Sequence, residues 1–343
     1  MKTLRIAETA GFCFGVSRSV KMAENMLQDG PCASFGMLIH NEDEIRRLMK
    51  SGLRIVRSVE EVQPGERILI RAHGVPPETI RELEKKHAVI SDATCPKVQV
   101  IHRIVENADR DGRFVIIIGM RQHPEVEAIR ARCRDYAVVE NPEETESWLT
   151  QHPEVWSLPI TVVVQTTQTK SNFEDCVNTI KKRCTNADIS DTICFATSKR
   201  QEEAAALSMA CDAMVVIGGR HSANSQHLAE ICRQSCENVQ FIERPEELDF
   251  SILKKFPVVG LTAGASTPAW IIKEVSSKMS DEIRVEEVLE EIPDALVAEE
   301  TAEEAVQEME NIVVEEAVEA APVASVEKEL SFDEMLEETM KNI

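Results

Sequence analysis

Cys13, Cys95 and Cys194 are the residues whose surroundings best suit chemistry. Cys13 lies in GFCFGV, between glycines that let backbone approach a bulky group. Cys95 lies in DATCP, where the following proline removes an N–H and fixes the turn. Cys194 lies in DTICFATSKRQ, just ahead of a helical pattern. They stand 82 and 99 residues apart, so no CxxC-type spacing marks them. Two readings fit: three buried structural thiols, or three thiolates on one [4Fe–4S] cluster. In the second case four irons receive three protein ligands, and the open iron is a Lewis acid beside an electron store. That combination suits the loss of a C–O bond coupled to reduction.

The histidines sort in a similar way. His40 (LIHNE), His73 (RAHGV) and His123 (RQHPE) follow apolar runs, beside Asn, Gly or Pro. Their separations lack zinc-type HxxxH spacing, and both metal binding and anion binding remain open. His87, His102, His152 and His227 have no such setting and read as solvated or core residues. The turns SANS (222–225) and GAST (264–267) offer Ser222, Asn224 and Ser266 as donors where helix N-termini suit an anion. Each turn alone reads equally as an N-cap. C–O cleavage that releases water needs a proton source, and Glu125, two residues after His123, is the best-placed carboxylate; Thr166 in QTT would position the hydroxyl or relay the proton. The other cysteines read as structural, with Cys232 and Cys236 on one core-facing helix side.

These residues need elements to hold them. RILI (67–70), FVIII (114–118), ITVVV (160–164), MVVI (214–217) and VVGL (258–261) each lead through a polar turn into a helical pattern. Continuous Val/Ile runs alternating with helices predict parallel strands covered on both faces, with ligands at the strand carboxyl ends. The expected fold is α/β, with three small parallel-sheet lobes around a shared centre. The lobes are assigned to residues 1–96 (with 268–282 returning to the first), 97–193 and 194–267.

The 343 residues are 43 % hydrophobic and 4 % aromatic, so the core rests on aliphatic side chains. No stretch approaches the roughly 20 apolar residues of a membrane span, and the N-terminus does not read as a signal peptide. A cytoplasmic protein with reduced thiols is expected. The net charge of −22 is concentrated: residues 281–343 hold 22 of the 60 acids and three bases, which leaves residues 1–280 near neutrality. Residues 283–343 are expected to be an acidic, mostly disordered extension, with SFDEMLEETMKNI as an amphipathic helix candidate at its end.

Taken in order, GFCFGV, IHN, RAHGV, DATCP, HPEV, QTT, DTICFAT, RQ, HSANS and TAGAST resemble the motifs of the LytB family over about residues 3–280. The resemblance implies a three-lobed α/β protein with one central [4Fe–4S] cluster held by Cys13, Cys95 and Cys194. It implies a diphosphate site at His40, His73, His123, Ser222, Asn224 and Ser266, with Thr167 and Thr197 near it. Glu125 would be the proton source and Thr166 would lie near the substrate hydroxyl. The implied activity is two-electron reductive dehydroxylation of an allylic alcohol diphosphate to isopentenyl and dimethylallyl diphosphates. Electrons would come from a ferredoxin or flavodoxin, to a monomeric core with no nucleic-acid or membrane partner. One departure concerns the phosphate turn, where the family's NSSNS or NSSNT is here His221-Ser222-Ala223-Asn224-Ser225. The acidic extension resembles the linker to an RNA-binding β-barrel domain. Other classes compete on residues alone: a cysteine nucleophile paired with a rim histidine, or a non-catalytic adaptor that binds through its tail.

Overall fold

The computed structural model describes residues 3–283; the acidic extension and its amphipathic helix candidate lie outside the described residues. The chain begins with β1 (Thr3–Ile6) and α1 (Phe14–Gln28). A first lobe follows, with β2 (Cys32–Phe35), α2 (Glu42–Lys50), β3 (Leu53–Val56), β4 (Arg67–Ile70), α3 (Pro77–Lys85) and β5 (Val89–Asp92). After α4 (Pro96–Arg110) the second lobe runs through β6 (Phe114–Ile118), α5 (Pro124–Arg130), β7 (Tyr136–Val139), α6 (Pro142–Gln151), β8 (Ile160–Val164), α7 (Lys170–Lys181) and β9 (Ala187–Ile189). After α8 (Phe195–Met209) come β10 (Ala213–Ile217), α9 (Ala223–Ser235), β11 (Val239–Ile242), α10 (Phe250–Leu253), β12 (Val258–Ala263) and α11 (Ala269–Ile283).

Three four-stranded parallel sheets result, ordered β3-β2-β4-β5, β7-β6-β8-β9 and β1-β12-β10-β11. The central strands are the expected apolar runs, and in the second sheet their two faces serve separate cores. Ile116, Ile118, Val162 and Val164 face one cluster, while Val115, Ile117 and Val163 face the other. Full burial of each such side chain contributes about 1.5–3 kcal/mol. Proline at the first position opens α3, α4, α5 and α6, where its missing N–H costs nothing.

The third sheet corrects one sequence expectation. β1 pairs with β12, Thr3 opposite Val258 and Ile6 opposite Leu261, and therefore does not belong to the lobe of residues 1–96. Ile271, Ile272, Val275 and Met279 of α11 pack with Val215, Ile217 and Leu261, so residues 268–282 complete the third lobe instead of returning to the first. The physical reason is sheet completion. β5 and β9 close the first two sheets from within their lobes, and the third sheet receives its equivalent strand from the N-terminus.

With β1 so placed, the three lobes repeat one plan, and a 15-residue helix passes from each to the next. α1 packs on the first lobe through Val20, Ala23 and Met26, α4 on the second through Ile101 and Val105, and α8 on the third through Ala204. The residue capping the N-terminus of each is a cysteine: Cys13, Cys95 and Cys194.

Close packing is sensitive where β12 meets its neighbours. A Cβ at Gly260 would collide with Met214 Sδ and lie 3.0 Å from Cys211 Sγ. Gly260→Ala is expected to lower unfolding stability by about 1–3 kcal/mol through overpacking. Urea denaturation checks this, and unchanged stability would mean that β12 and β10 can spread apart.

Candidate active site

The three cysteines share one local construction. Cys13 N–H donates to Ala265 O at 3.1 Å, Cys95 N–H to Ala72 O at 2.9 Å, and Cys194 N–H to Thr166 O at 3.0 Å. Each acceptor lies two residues beyond a central strand, β12, β4 or β8 respectively. Each cysteine carbonyl then accepts at the first turn of its helix, from Ser17 for Cys13, Gln99 for Cys95, and Thr197 and Ser198 for Cys194. Three helix N-termini thus converge, each presenting a thiol where the positive end of the dipole favours a thiolate.

All thirteen site residues expected from the sequence line one cavity of about 100 Å³: the three cysteines, His40, His73, His123, Glu125, Thr166, Thr167, Thr197, Ser222, Asn224 and Ser266. The second ring of positions again follows the repeat. His40, His123 and Ser222 each stand five residues beyond β2, β6 or β10, and His73, Thr167 and Ser266 three beyond β4, β8 or β12. His123 caps α5, its Nδ1 accepting Glu125 N–H at 3.2 Å. Ser222 caps α9, its Oγ accepting Ser225 N–H at 3.4 Å. The capping role of Ser222 is therefore real, and it leaves the hydroxyl in the cavity.

The imidazoles of His40, His73 and His123 cluster with ring centroids 4.6–5.4 Å apart, and one nitrogen of each lies within 4.8 Å of the others. Such a trio could hold a metal ion or, once protonated, an anion. Burial holds His40 at about 4 and His123 at about 3, with Arg71 adding to both; it also holds His73 well below its ordinary value, helped by His40 and His123. His40 Nε2, His73 Nδ1 and both side-chain polar atoms of Asn224 are buried without partners, four of the seven such atoms among the described residues. Orphaned polar atoms gathered at one place point to a polar ligand. Asn224, Ser222 and Ser266 suit an anion better than a cation, because a three-histidine metal site has no need of their N–H and O–H groups.

Glu125 is fully buried, and this raises its proton affinity against the opposing pull of two bonds from Thr166. Thr166 N–H donates to Oε1 at 2.7 Å and Thr166 Oγ1 to Oε2 at 2.8 Å. Because Thr166 O also accepts Cys194 N–H, one residue couples the carboxyl to a cysteine. Thr167 accepts from Gln165 Nε2 at its hydroxyl, and its carbonyl meets His227 Nδ1 at 2.8 Å.

The cysteines fit a metal cluster. All ten cysteines are free thiols. Cys95 is pushed up to about 12 by burial and by the charges of Cys13 and Cys194, and Cys194 is raised by burial and Cys13. Thiols raised in this way, Cys95 and Cys194, ionise when a cation comes to lie among them. The same shifts speak against a cysteine nucleophile, which needs a lowered proton affinity. Gly15 leaves room beside them: a Cβ there would lie 2.6 Å from Cys95 Sγ.

Sequence reasoning gave no role to Arg200, Arg71, Lys97 or His227. Arg200 and Lys97 line the cavity, Arg71 acts on all three histidines, and His227 acts on His123. The signal for Arg200 was helical spacing. Thr197, Arg200, Gln201, Ala204 and Ser208 form the buried side of α8. His102 is a core histidine, as read from the sequence.

Fold and site together define a three-lobed α/β protein whose cavity gathers three cysteines, three histidines and a buried glutamate. The chain belongs to the LytB family, whose model, the LytB protein, matches residues 4–280. It is 38 % identical over 283 residues to the 4-hydroxy-3-methylbut-2-enyl diphosphate reductase of Caldanaerobacter subterraneus subsp. tengcongensis, covering 80 % of this chain and 95 % of that protein. The structure of the E-1-hydroxy-2-methyl-but-2-enyl-4-diphosphate reductase from Plasmodium falciparum superimposes with a TM-score of 0.76 at 25 % identity, over 81 % of this chain and 88 % of that one. A solved (E)-4-hydroxy-3-methyl-but-2-enyl diphosphate reductase gives 0.61 at 37 % identity, over 82 % of this chain and all of the other. No helix among the described residues is long and apolar enough to cross a membrane.

Two tests follow. His40, His73, His102 and His123 all have folded values below the ordinary 6.5, so the unfolded chain binds more protons than the native one below that pH. Stability of the cluster-free protein is therefore expected to fall as pH drops from 6.5 toward about 4. Glu125 runs the other way, one group against four. Urea midpoints at pH 7 and pH 5 measure this, and His123→Asn, which keeps a capping acceptor, should flatten the difference. Gly15→Ala should remain folded but take up less iron on anaerobic reconstitution; full iron content would show that Cys95 moves aside without loss.

Proposed function

We propose that this chain is a 4-hydroxy-3-methylbut-2-enyl diphosphate reductase, which reductively removes the hydroxyl of that allylic diphosphate to give isopentenyl and dimethylallyl diphosphates, the last step of the methylerythritol phosphate route. The observation that carries this reading is the convergence of three cysteine-capped helices, three histidines and a doubly hydrogen-bonded buried glutamate on one cavity. The reaction consumes two electrons and two protons and releases water.

Cys13, Cys95 and Cys194 would hold one [4Fe–4S] cluster, which when bound supplies the electrons and an open iron for the substrate hydroxyl. His40, His73 and His123 start neutral, and the diphosphate's charge would draw protons onto them, turning a dry trio into cationic donors. Asn224 Nδ2, Ser222 and Ser266 would satisfy further phosphate oxygens, which accounts for the unpartnered amide of Asn224. Glu125, kept protonated more readily by burial, would give its proton toward the departing hydroxyl, with Thr166 holding the carboxyl in place. Thr167 and Thr197 border the substrate. His221, exposed and acting electrostatically on His40, would add an imidazole beside the phosphates where the family has none.

We assign electron delivery to a ferredoxin or flavodoxin and the working form to a monomer. The exposed Phe195, immediately after Cys194, supports approach of a donor protein. Every residue given a role lies between Cys13 and Ser266, so the acidic extension stands outside the catalytic unit.

The test is anaerobic measurement of iron content, visible absorption and reduction of the hydroxylated diphosphate with an artificial electron donor. Cys13→Ser, Cys95→Ser and Cys194→Ser should each lose the cluster and the activity. Glu125→Gln should keep its iron yet turn over about 10²–10⁴-fold more slowly. A wild-type protein that stays colourless and inactive after iron and sulfide reconstitution would refute the proposal.

A further inference from the structure

Arg200 is only 3 % exposed, yet none of its hydrogen bonds goes to a carboxylate. Its Nε and Nη2 donate to Thr9 O at 3.0 and 2.6 Å, Nη2 also to Gly11 O at 2.8 Å, and Nη1 to Ala196 O at 3.3 Å. The carboxylate one helical turn on, Glu203, is already engaged. Its oxygens accept Glu8 N–H at 2.6 Å, Thr9 N–H at 2.9 Å and the Thr9 hydroxyl. Loop 8–11, which delivers Cys13, is thus gripped by its carbonyls from Arg200 and by its N–H groups from Glu203.

A buried guanidinium surrounded by neutral carbonyls is costly unless an anion lies close by. The groups that act on it electrostatically are Cys13, Cys194 and Glu203, and it lines the same cavity as both cysteines. The histidine trio is acted on by a different cation, Arg71, while Arg200 acts with Cys13 and Cys194 on the cysteine side of the cavity. From this arrangement, and resting on the cluster reading above, we infer that Arg200 is a positioning residue with two tasks. It is the fixed counter-charge of the anionic thiolate-bound cluster, and it is the clamp that holds Cys13 at its N-cap. A fixed positive charge favours the more negative, reduced form and therefore raises the reduction potential, while the clamp slows the loss of Cys13 as a ligand.

The experiment compares wild type, Arg200→Gln and Arg200→Lys after anaerobic reconstitution. It reads the midpoint potential of the cluster by redox titration and the rate of iron loss to a chelator. Arg200→Gln should reduce at a more negative potential than wild type and release iron several-fold faster. Arg200→Lys, which keeps the charge but cannot span both carbonyls, should retain the wild-type potential while still losing iron faster. A wild-type potential in Arg200→Gln, or equal shifts in both variants, would overturn the counter-charge. Should Arg200→Gln not fold, Arg200→Lys decides alone: an unchanged potential with faster iron loss supports the inference, and a shifted potential defeats it. A wild-type chain that takes up no iron would instead sink the reading on which it rests.

Discussion

The arrangement depends on a hydrogen bond made three times, from a cysteine N–H to a carbonyl just past a central strand. At each occurrence the donor is about to leave one lobe and the acceptor belongs to the lobe being left. Cys95 N–H is tied to Ala72 in the first lobe while its carbonyl opens α4 of the second, and Cys194 and Cys13 repeat this at the other two junctions. Each thiol is thereby fixed relative to two lobes at once. A shift of any lobe about the centre displaces a cysteine, so the cores of the three sheets and the position of the thiols are mechanically one problem.

The cavity is organised against its own ionisation. Burial drives the histidines toward neutrality and Glu125, Cys95 and Cys194 toward their protonated forms. A site prepared in this way responds strongly to the first charged group that enters. An anion recruits protons onto imidazoles that otherwise shed them, and a metal centre ionises thiols that otherwise hold theirs. The cost of keeping such groups dry is carried by the aliphatic cores of the lobes, where Ile116–Ile118 and Val162–Val164 are wholly out of water.

Much of this was legible in the sequence because the central strands are continuous Val/Ile runs and the polar residues directly after them stand out. Other parts were hidden for physical reasons. β5 (VISD) and β9 (ADI) are short, half-exposed edge strands with no apolar period to detect. The partner of β1 could not be read from TLRI, because four residues carry no record of which edge they join, and the pairing spans more than 250 positions. Arg200 follows Lys199 and on its own looks like half of a solvated pair. Only the face shared with Thr197 and Ala204 reveals that it is buried. The cavity residues His40 and His73 were visible as types, but their dry, unpartnered nitrogens arise from packing between segments far apart in the chain.

The placement of β1 also sets the order in which the molecule can be assembled as it is made. Two lobes can close soon after their residues leave the ribosome, since their strands are near neighbours in the chain. The first strand must wait for residues 258–263, and until then Leu4 and Ile6 have no sheet to join. Contacts separated this far in sequence are the slow ones, reached only after a large loop has closed. Cys13 waits with them, because the carbonyl that anchors it belongs to Ala265. The first cysteine to be synthesised is therefore the last to reach its position, and a metal centre that needs all three can be built only once the chain has been made through Ala265.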